Sequence, residues 1–503
     1  MATPVVEQMK QVRLGLGPAV HESPTKDTAE LAVFAHEYEA HQQILLAKCP
    51  PTIWPHGSYR VSCPMPILIS ESHCRQLKDL HGALTAAIND IVSRWWKDKA
   101  ANFPARMPLQ EEEEQLLQWL DEQEELGNLP KFSTRQGSWR PDFLVEQVHH
   151  DDGFKTENFR LSEINARFCF NGFMHILYGN LALQGMNLDK CGFSIPAHGA
   201  EFFDSLLDMF CHDQPLHLLK GEENGIDIGM FIHAVHDRLG TEPRLIAPTD
   251  LRLVTDENTG RTRLCCLATR GASSDDGDTF HTAEGEMVEE IHQVGLELHQ
   301  HELAALGGEM RRQLSLRCFN DMRTVLLVHD KRMLGIIGQE LHTLVARGVL
   351  TPAQAAILDR GMAQTILPGS PELLQLAAAT DRDDSTKDGY LLKPVRGGKG
   401  AGIVFGEDMT AEAWRSALRA LGSTALADGG SMVVQRRVKQ QLYDVVLKRK
   451  NDTGMGEMRR NHLVGTYHVV NGRYLGIGIW RSSAERICAI STGGSWMCSV
   501  IRS

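Results

Sequence analysis

One stretch restricts the fold more than any other. From Tyr390 to Phe405 the chain reads Tyr-Leu-Leu-Lys-Pro-Val-Arg-Gly-Gly-Lys-Gly-Ala-Gly-Ile-Val-Phe. A strand-like run ends at Lys393, glycines follow at Gly397, Gly398, Gly400 and Gly402, and a second strand-like run begins. Glycines let backbone N–H groups wrap phosphate oxygens, and lysine adds a point charge. The GxxxxGK[ST] pattern is absent, and a strand rather than a helix follows, so this is not a Walker loop. Lys393, Arg396 and Lys399 around the loop favour an anion over a plain hairpin turn.

Composition narrows the choice of anion. The 503 residues carry a net charge of −12, from 64 acidic against 52 basic side chains. A general nucleic-acid binder is normally basic, because phosphate neutralisation drives that binding. A single small anion is the better match. No run reaches the roughly 18 apolar residues of a membrane span, and Met1 to Gly17 lacks a secretory apolar core. The 11 cysteines are scattered and include the adjacent pair Cys265–Cys266. An odd count with no CxxC pair reads as reduced thiols in a cytoplasmic protein, without a structural zinc site.

Periodicity places the elements. Residues 1–60 read as irregular. Helices are expected over Glu71–Lys99, Leu109–Leu126, Asn171–Gln184, Glu286–Leu306 and Lys331–Gly348. The acidic run Glu111–Glu114 reads as a solvated helix face. Phe143–Val145 and Phe159–Leu161 read as strands joined by a polar loop, Gln147–Lys155. Leu216–Leu219, Ile226–Leu239 and Arg244–Ile246 read as strand, helix and strand. Asp250–Thr255 and Thr262–Ala268 form a hairpin, and Gly271–Gly285 a polar loop. The last third is strand-rich: Tyr390–Pro394, Gly402–Phe405, Met432–Gln435, Leu442–Lys450, Leu463–Val470 and Tyr474–Ile479. This mixture predicts an α/β (α+β) fold.

Two further patterns carry chemistry. Arg140-Pro-Asp142 opens one strand, and Glu163-Ile-Asn165 closes the next. Residues i and i+2 of a strand share a face, so Glu163 and Asn165 present two oxygen donors together. Such donors suit Mg²⁺, which usually borrows phosphates as further ligands. Val328-His-Asp-Lys331 opens a helix, where a lysine opposes the dipole unless an anion sits nearby. His149-His150-Asp151-Asp152 reads as a solvated loop, and His292, His299 and His301 as helix residues without metal spacing.

Together these patterns resemble the ATP-grasp superfamily, and within it eukaryotic glutathione synthetase, with glutathionylspermidine synthase more distant. The Arg-x-Asp and Glu-Ile-Asn strands, Glu223-Asn224-Gly-Ile-Asp227, the Lys331 stretch, Leu392-Lys-Pro-Val-Arg-Gly-Gly398, Met432–Gln435 and Thr492-Gly-Gly494 follow the family's order over residues 135–500. The resemblance implies a glutathione-synthetase-like ATP-grasp fold with ATP held between two antiparallel sheets. It divides the chain into a mostly helical region 1–130, metal-binding strands and a substrate lobe 131–325, and an ATP-binding lobe 326–503.

It also implies roles. Lys331, Lys393, Arg396, Gly397, Gly398, Lys399 and Gly400 would contact phosphates, with Val433, Val434 and Gln435 at the adenine hinge. Asp142, Glu163 and Asn165 would hold Mg²⁺, and Arg140 would stabilise an acyl phosphate. Asn224, Arg481 and Trp496 would meet substrate. The implied reaction joins a small-molecule carboxylate to an amine with release of ADP, and relatives make a homodimer a candidate state.

Three departures argue against glutathione as product. Gly397 stands where the family has a metal-binding glutamate, with Asp142 or Glu407 as candidate replacements. Ile228 stands where it has a glutamine. The family's basic pair is not in register, Arg481 and Arg486 lying nearby beside Trp480 and Trp496. These apolar replacements point to a less polar substrate. An ATP-grasp phosphotransferase, a ligase using a non-amine nucleophile and an inactive nucleotide-binding regulator remain as alternatives.

Overall fold

The computed structural model describes residues 8–14, 28–150, 153, 155–224, 227–255, 260–268, 278–426, 431–448 and 457–503. A five-stranded antiparallel sheet forms the centre, in the order Ser495–Met497, Arg473–Ser482, Val464–Val470, Ser138–His149 and Lys155–Asn165. The helix Glu71–Arg94 lays Leu77, Leu80, Leu84, Ile88 and Ile91 into the same buried core as Phe143, Phe159 and Trp480. That stripe recurs every three or four residues, as burial of one helix face requires.

A second antiparallel sheet, Thr365–Ile366, Met432–Arg436, Tyr390–Pro394 and Val404–Phe405, carries the glycine loop between its last two strands. Its own small core holds Leu392, Val434 and Trp414. A β-bulge ties the two sheets together. Asp142 pairs with Glu163 but Phe143 pairs with Leu161, so Ser162 is the extra residue. A bulged residue falls out of the ladder. Its carbonyl accepts instead from Lys393 Nζ at 3.4 Å and from Gln435 Nε2 at 3.1 Å, both across the gap between sheets.

The remaining layers pack around this pair. Val294–Glu297, His217–Lys220 and Arg244–Ile246 form a parallel sheet, crossed over by the helix Ile228–Leu239. Lys10–Gln11 pairs with Ile67–Leu68, which runs parallel to Ser499–Val500, so the two ends of the described chain share a sheet. Among the described residues no helix is long and apolar enough to cross a membrane. No cysteine is disulfide-bonded, and the adjacent Cys265 and Cys266 are both buried.

Several expectations need correction. The irregular reading of residues 1–60 misses the helix Thr28–Lys48, which lacks a clear apolar stripe but is rich in alanine, glutamate and glutamine, all good helix formers. Residues 1–7 and 15–27 lie outside the described part. Glu286–Leu306 is not one helix but strands Met287–Glu290 and Val294–Glu297 and a short helix, Gln300–Ala305. Short apolar runs carry no clear period, and pairing with the strand His217–Lys220 decided the second one. His292 and His299 therefore precede that helix and only His301 lies in it. The hairpin strands also run further than expected, to His149 and from Lys155. Asp151 and Asp152 lie outside the described residues, as do 271–277 of the polar loop, while Thr279–His281 is a strand.

The parallel sheet braces the segment that leaves the central hairpin. Glu297, at the end of its strand, accepts from Phe170 N–H at 3.2 Å and from the Cys169 thiol at 3.6 Å. Burial, with Asp227 and Glu223 nearby, pushes this carboxyl from 4.5 to about 8. A raised pKa in the folded chain means that its stabilising contribution is complete below the ordinary carboxylate range. That contribution is lost as pH rises through about 8. Melting temperature should therefore fall from acid to pH 8.5 more in the native chain than in Glu297→Gln. Parallel melting curves for the two would refute this.

Candidate active site

The two sheets face each other across a cavity of about 790 Å³. Arg140, Asp142, Glu163 and Asn165 line it from the central hairpin, and Arg481 from the strand Arg473–Ser482. Lys393 and the loop residues Gly398, Lys399 and Gly400 line it from the other sheet. The volume lies in the range of small-molecule sites and is large for a single small ion.

Charges in the cavity interlock. Glu163 pairs with Lys331 at 3.2 Å, and Lys331 Nζ also donates to the Gly397 carbonyl at 2.7 Å. Burial pushes the Glu163 carboxyl up, but Lys331, Lys393 and Arg481 outweigh it and hold it at about 2. Burial pulls the Lys393 ammonium from 10.5 to about 8, with Glu163 opposing. Both oxygens of Asp142 accept from Arg140, at 2.8 and 3.2 Å, and one also accepts from Arg481. Arg140 further donates to the Asn171 carbonyl at 3.3 Å.

The glycine loop turns through Lys399, Gly400 and Gly402, at φ of 58°, 75° and 75°. Lys399 forms an ion pair at 2.9 Å with Glu223, which lies between the strand His217–Lys220 and the helix Ile228–Leu239. A Cβ on Gly400 would stand 2.2 Å from Ile487 of the C-terminal segment. Left-handed backbone costs an L-residue about 1–2 kcal/mol. Gly400→Ala should thus raise the KM for ATP about tenfold or more while melting temperature barely moves, read by steady-state ADP release. An unchanged KM would remove this loop from the nucleotide site.

Other sequence-derived residues take different places. Arg396 does not line the cavity. It is bound by Glu113 at 2.7 Å and by Asp330 at 3.1 Å. Glu113, read as part of a solvated face, is therefore buried, and it anchors the helix Glu111–Glu125 to the loop. Val433 and Val434 are fully buried, and Gln435 bonds Ser162 and Thr365. The residues that reach the cavity from this strand lie past its end, Arg437 to Gln440. Asn224 is exposed, residues 225–226 beside it lie outside the described part, and its neighbour Glu223 lines the cavity.

Trp496 is buried, donates to the Ser58 carbonyl at 2.8 Å and stacks on Trp54. Ile228 and Trp480 are likewise core residues, so none of the three makes the cavity apolar. Arg167 and Phe168, which sequence reasoning passed over, line it instead, as does His299, expected only as a helix residue. Glu407 is held at the surface by Arg437 and Arg486. A Cβ at Gly397 would meet only ordinary contacts, the nearest at 3.5 Å to Pro394, so the missing glutamate is not a steric consequence. Ser58 Oγ lies 3.0 Å from His175 Nε2, and His175 Nδ1 lies 2.8 Å from Asp227. Of these three only His175 lines the cavity, and the trio ties Pro55–Val61 to the helix Phe173–Gly185.

Residues 80–327 match the AnkG N-terminal domain family. Over 430 residues the chain is 36% identical to the ATP-grasp enzyme ankG of Aspergillus thermomutatus, covering 85% of this chain and 86% of that protein. The chain belongs to the AnkG family of ATP-grasp enzymes. Its fold matches a glutathione synthetase-like effector from Globodera pallida, solved in the apo form, with a TM-score of 0.52 at 12% identity. That match spans 96% of this chain and 99% of the other.

An ATP-grasp enzyme uses ATP with a divalent metal. The donors here fit one: Glu163 and Asn165 share a face and open on the cavity, whereas both Asp142 oxygens are taken by guanidinium groups. Carboxylate and amide oxygens suit a small hard cation whose other ligands come from phosphates.

Proposed function

We propose that this ATP-grasp enzyme is an ADP-forming carboxylate–amine ligase. It makes an amide through an acyl phosphate, from substrates other than γ-glutamylcysteine and glycine. One observation carries the reading: Glu163, paired with Lys331 and under the charge of Lys393, shares one cavity with Asn165, Arg140 and the glycine loop, and Lys331 also holds the Gly397 carbonyl. In this reading Lys331, Lys393 and the loop amides hold the phosphates. Glu163 and Asn165 hold Mg²⁺, which when bound neutralises charge shared by the β- and γ-phosphates.

A carboxylate oxygen of the acid attacks the γ-phosphorus, and the bond to the ADP oxygen breaks. The amine nitrogen then attacks the acyl carbon, phosphate leaves with the C–O bond, and the amine proton passes to phosphate or water. No protein nucleophile is consumed. The side chains position reactants and offset charge, the usual sources of rate in phosphoryl transfer. Asp142 and the Asn171 carbonyl orient Arg140 on the same cavity wall, and in this reading its positive charge offsets that of the acyl phosphate.

Hydroxylamine tests this directly, because it intercepts acyl phosphates as hydroxamates. With ATP, Mg²⁺ and a panel of carboxylic acids, hydroxamate should form in step with ADP, and γ-glutamylcysteine should be a poor acid. A stable phosphorylated product would favour a phosphotransferase. No acid-dependent ADP release would favour a regulatory protein.

A further inference from the structure

Arg167 stands two residues beyond Asn165, where the chain leaves the central hairpin. It lines the cavity and is only 9% exposed. Its Nε and Nη2 atoms are buried with no hydrogen-bond partner, and no described acid forms an ion pair with it. The other guanidinium groups that line the cavity are engaged: Arg140 and Arg481 hold Asp142, and Arg437 and Arg486 hold Glu407, while Arg396, outside the lining, holds Glu113 and Asp330. Asp330 and Glu113 lie near enough to act on Arg167 through space but neither bonds it, since Asp330 is clamped by Arg332 and Arg396, and Glu113 by Arg396. A buried cation with no bonded anion is costly. A fold keeps one where a ligand supplies the missing charge.

The segment that carries Arg167 runs to Asn171, whose carbonyl holds Arg140. Phe168 and His299 continue the wall there, their rings 5.4 Å apart, and Glu223 binds both His299 and the loop residue Lys399. The nucleotide phosphates already have Lys331, Lys393 and the glycine loop. We infer that Arg167 binds a second carboxylate of the acid substrate, one that is not activated, so that the acid is a di- or polycarboxylate. This rests on the ligase reading above. Arg167 fixes the end of the acid remote from Arg140, and a monocarboxylate leaves the guanidinium unpaired.

Calorimetric titration tests this without turnover. Succinate against butyrate, and glutarate against valerate, are titrated into the full chain loaded with Mg²⁺ and a non-hydrolysable ATP analogue. Each diacid should bind about 10–100-fold more tightly than its matched monoacid, the range expected of a charge-assisted pair. Arg167→Met should erase that difference, and Arg167→Lys should restore part of it. The Met variant should keep its affinity for the ATP analogue within about twofold and should melt no lower than the native chain, since it loses no internal bond. Equal binding of diacid and monoacid would overturn the inference. So would loss of the ATP analogue in Arg167→Met, which would place Arg167 on the nucleotide phosphates. A diacid preference that depends on Arg167, in a protein that forms no hydroxamate, would support this inference and refute only the ligase reading.

Discussion

Glu163→Gln should lower acid-dependent ADP release by about 10²–10³-fold, the usual cost of removing one preorganised electrostatic group from an active site. The substitution keeps shape and removes only charge. Glu163 sits between Lys331 and Lys393, and together with Arg481 those cations hold its carboxyl at about 2 despite burial. With glutamine there, two buried ammonium groups lose their shared counter-charge, and the proposed metal site loses its one carboxylate that is not bound to a guanidinium. Two measurements separate these effects. Melting temperature reports the lysine repulsion, and the Mg²⁺ concentration for half-maximal ADP release reports the metal. Near-normal turnover at ordinary Mg²⁺ would move the metal site elsewhere.

Lys393→Ala should be at least as severe. Lys393 is the last but one residue of the strand Tyr390–Pro394, and its ammonium crosses to the carbonyl of the bulged Ser162. Its removal takes away the cation proposed for the phosphates and one of two hydrogen bonds joining the sheets at that carbonyl. Gln435 still supplies the other, so the fold should survive. Lys393→Met keeps the packed stem and discards the charge. Both variants should lose about 10²–10³-fold in ADP release, with affinity for the ATP analogue falling in parallel. If Lys393→Met were active and Lys393→Ala were not, the residue would act by packing alone.

Those two predictions use residues that the sequence exposes by itself. Lys393 precedes a glycine cluster that few other structures can use, and Glu163 and Asn165 share a face through strand geometry alone. Both signals are local. The adenine-hinge assignment stopped inside the strand at Val433 to Gln435, where every side chain is buried. The residues free to reach a cavity lie just past the strand end, at Arg437 to Gln440. Arg396 belongs to the same motif as Lys393, yet it turns to Glu113, 283 residues away, and to Asp330, 66 residues away. No local pattern marks such a partner. The acidic run around Glu113 carried the ordinary signature of a solvated helix face.

The sequence alone determined the strand–glycine-loop–strand unit, the paired strands that bear Arg140 and Glu163, and the superfamily. These depend on backbone conformations that glycine permits and on the two-residue period of a strand. Only the tertiary structure decided which charges are spent and which are free. Arg140, Arg396, Arg481 and Arg167 look alike in sequence, but three of them form ion pairs with carboxylates within the fold, and Arg167 forms none among the described residues. Whether a buried charge is paired depends on residues brought together from distant parts of the chain, and in this fold the cavity between the two sheets is where one was left over.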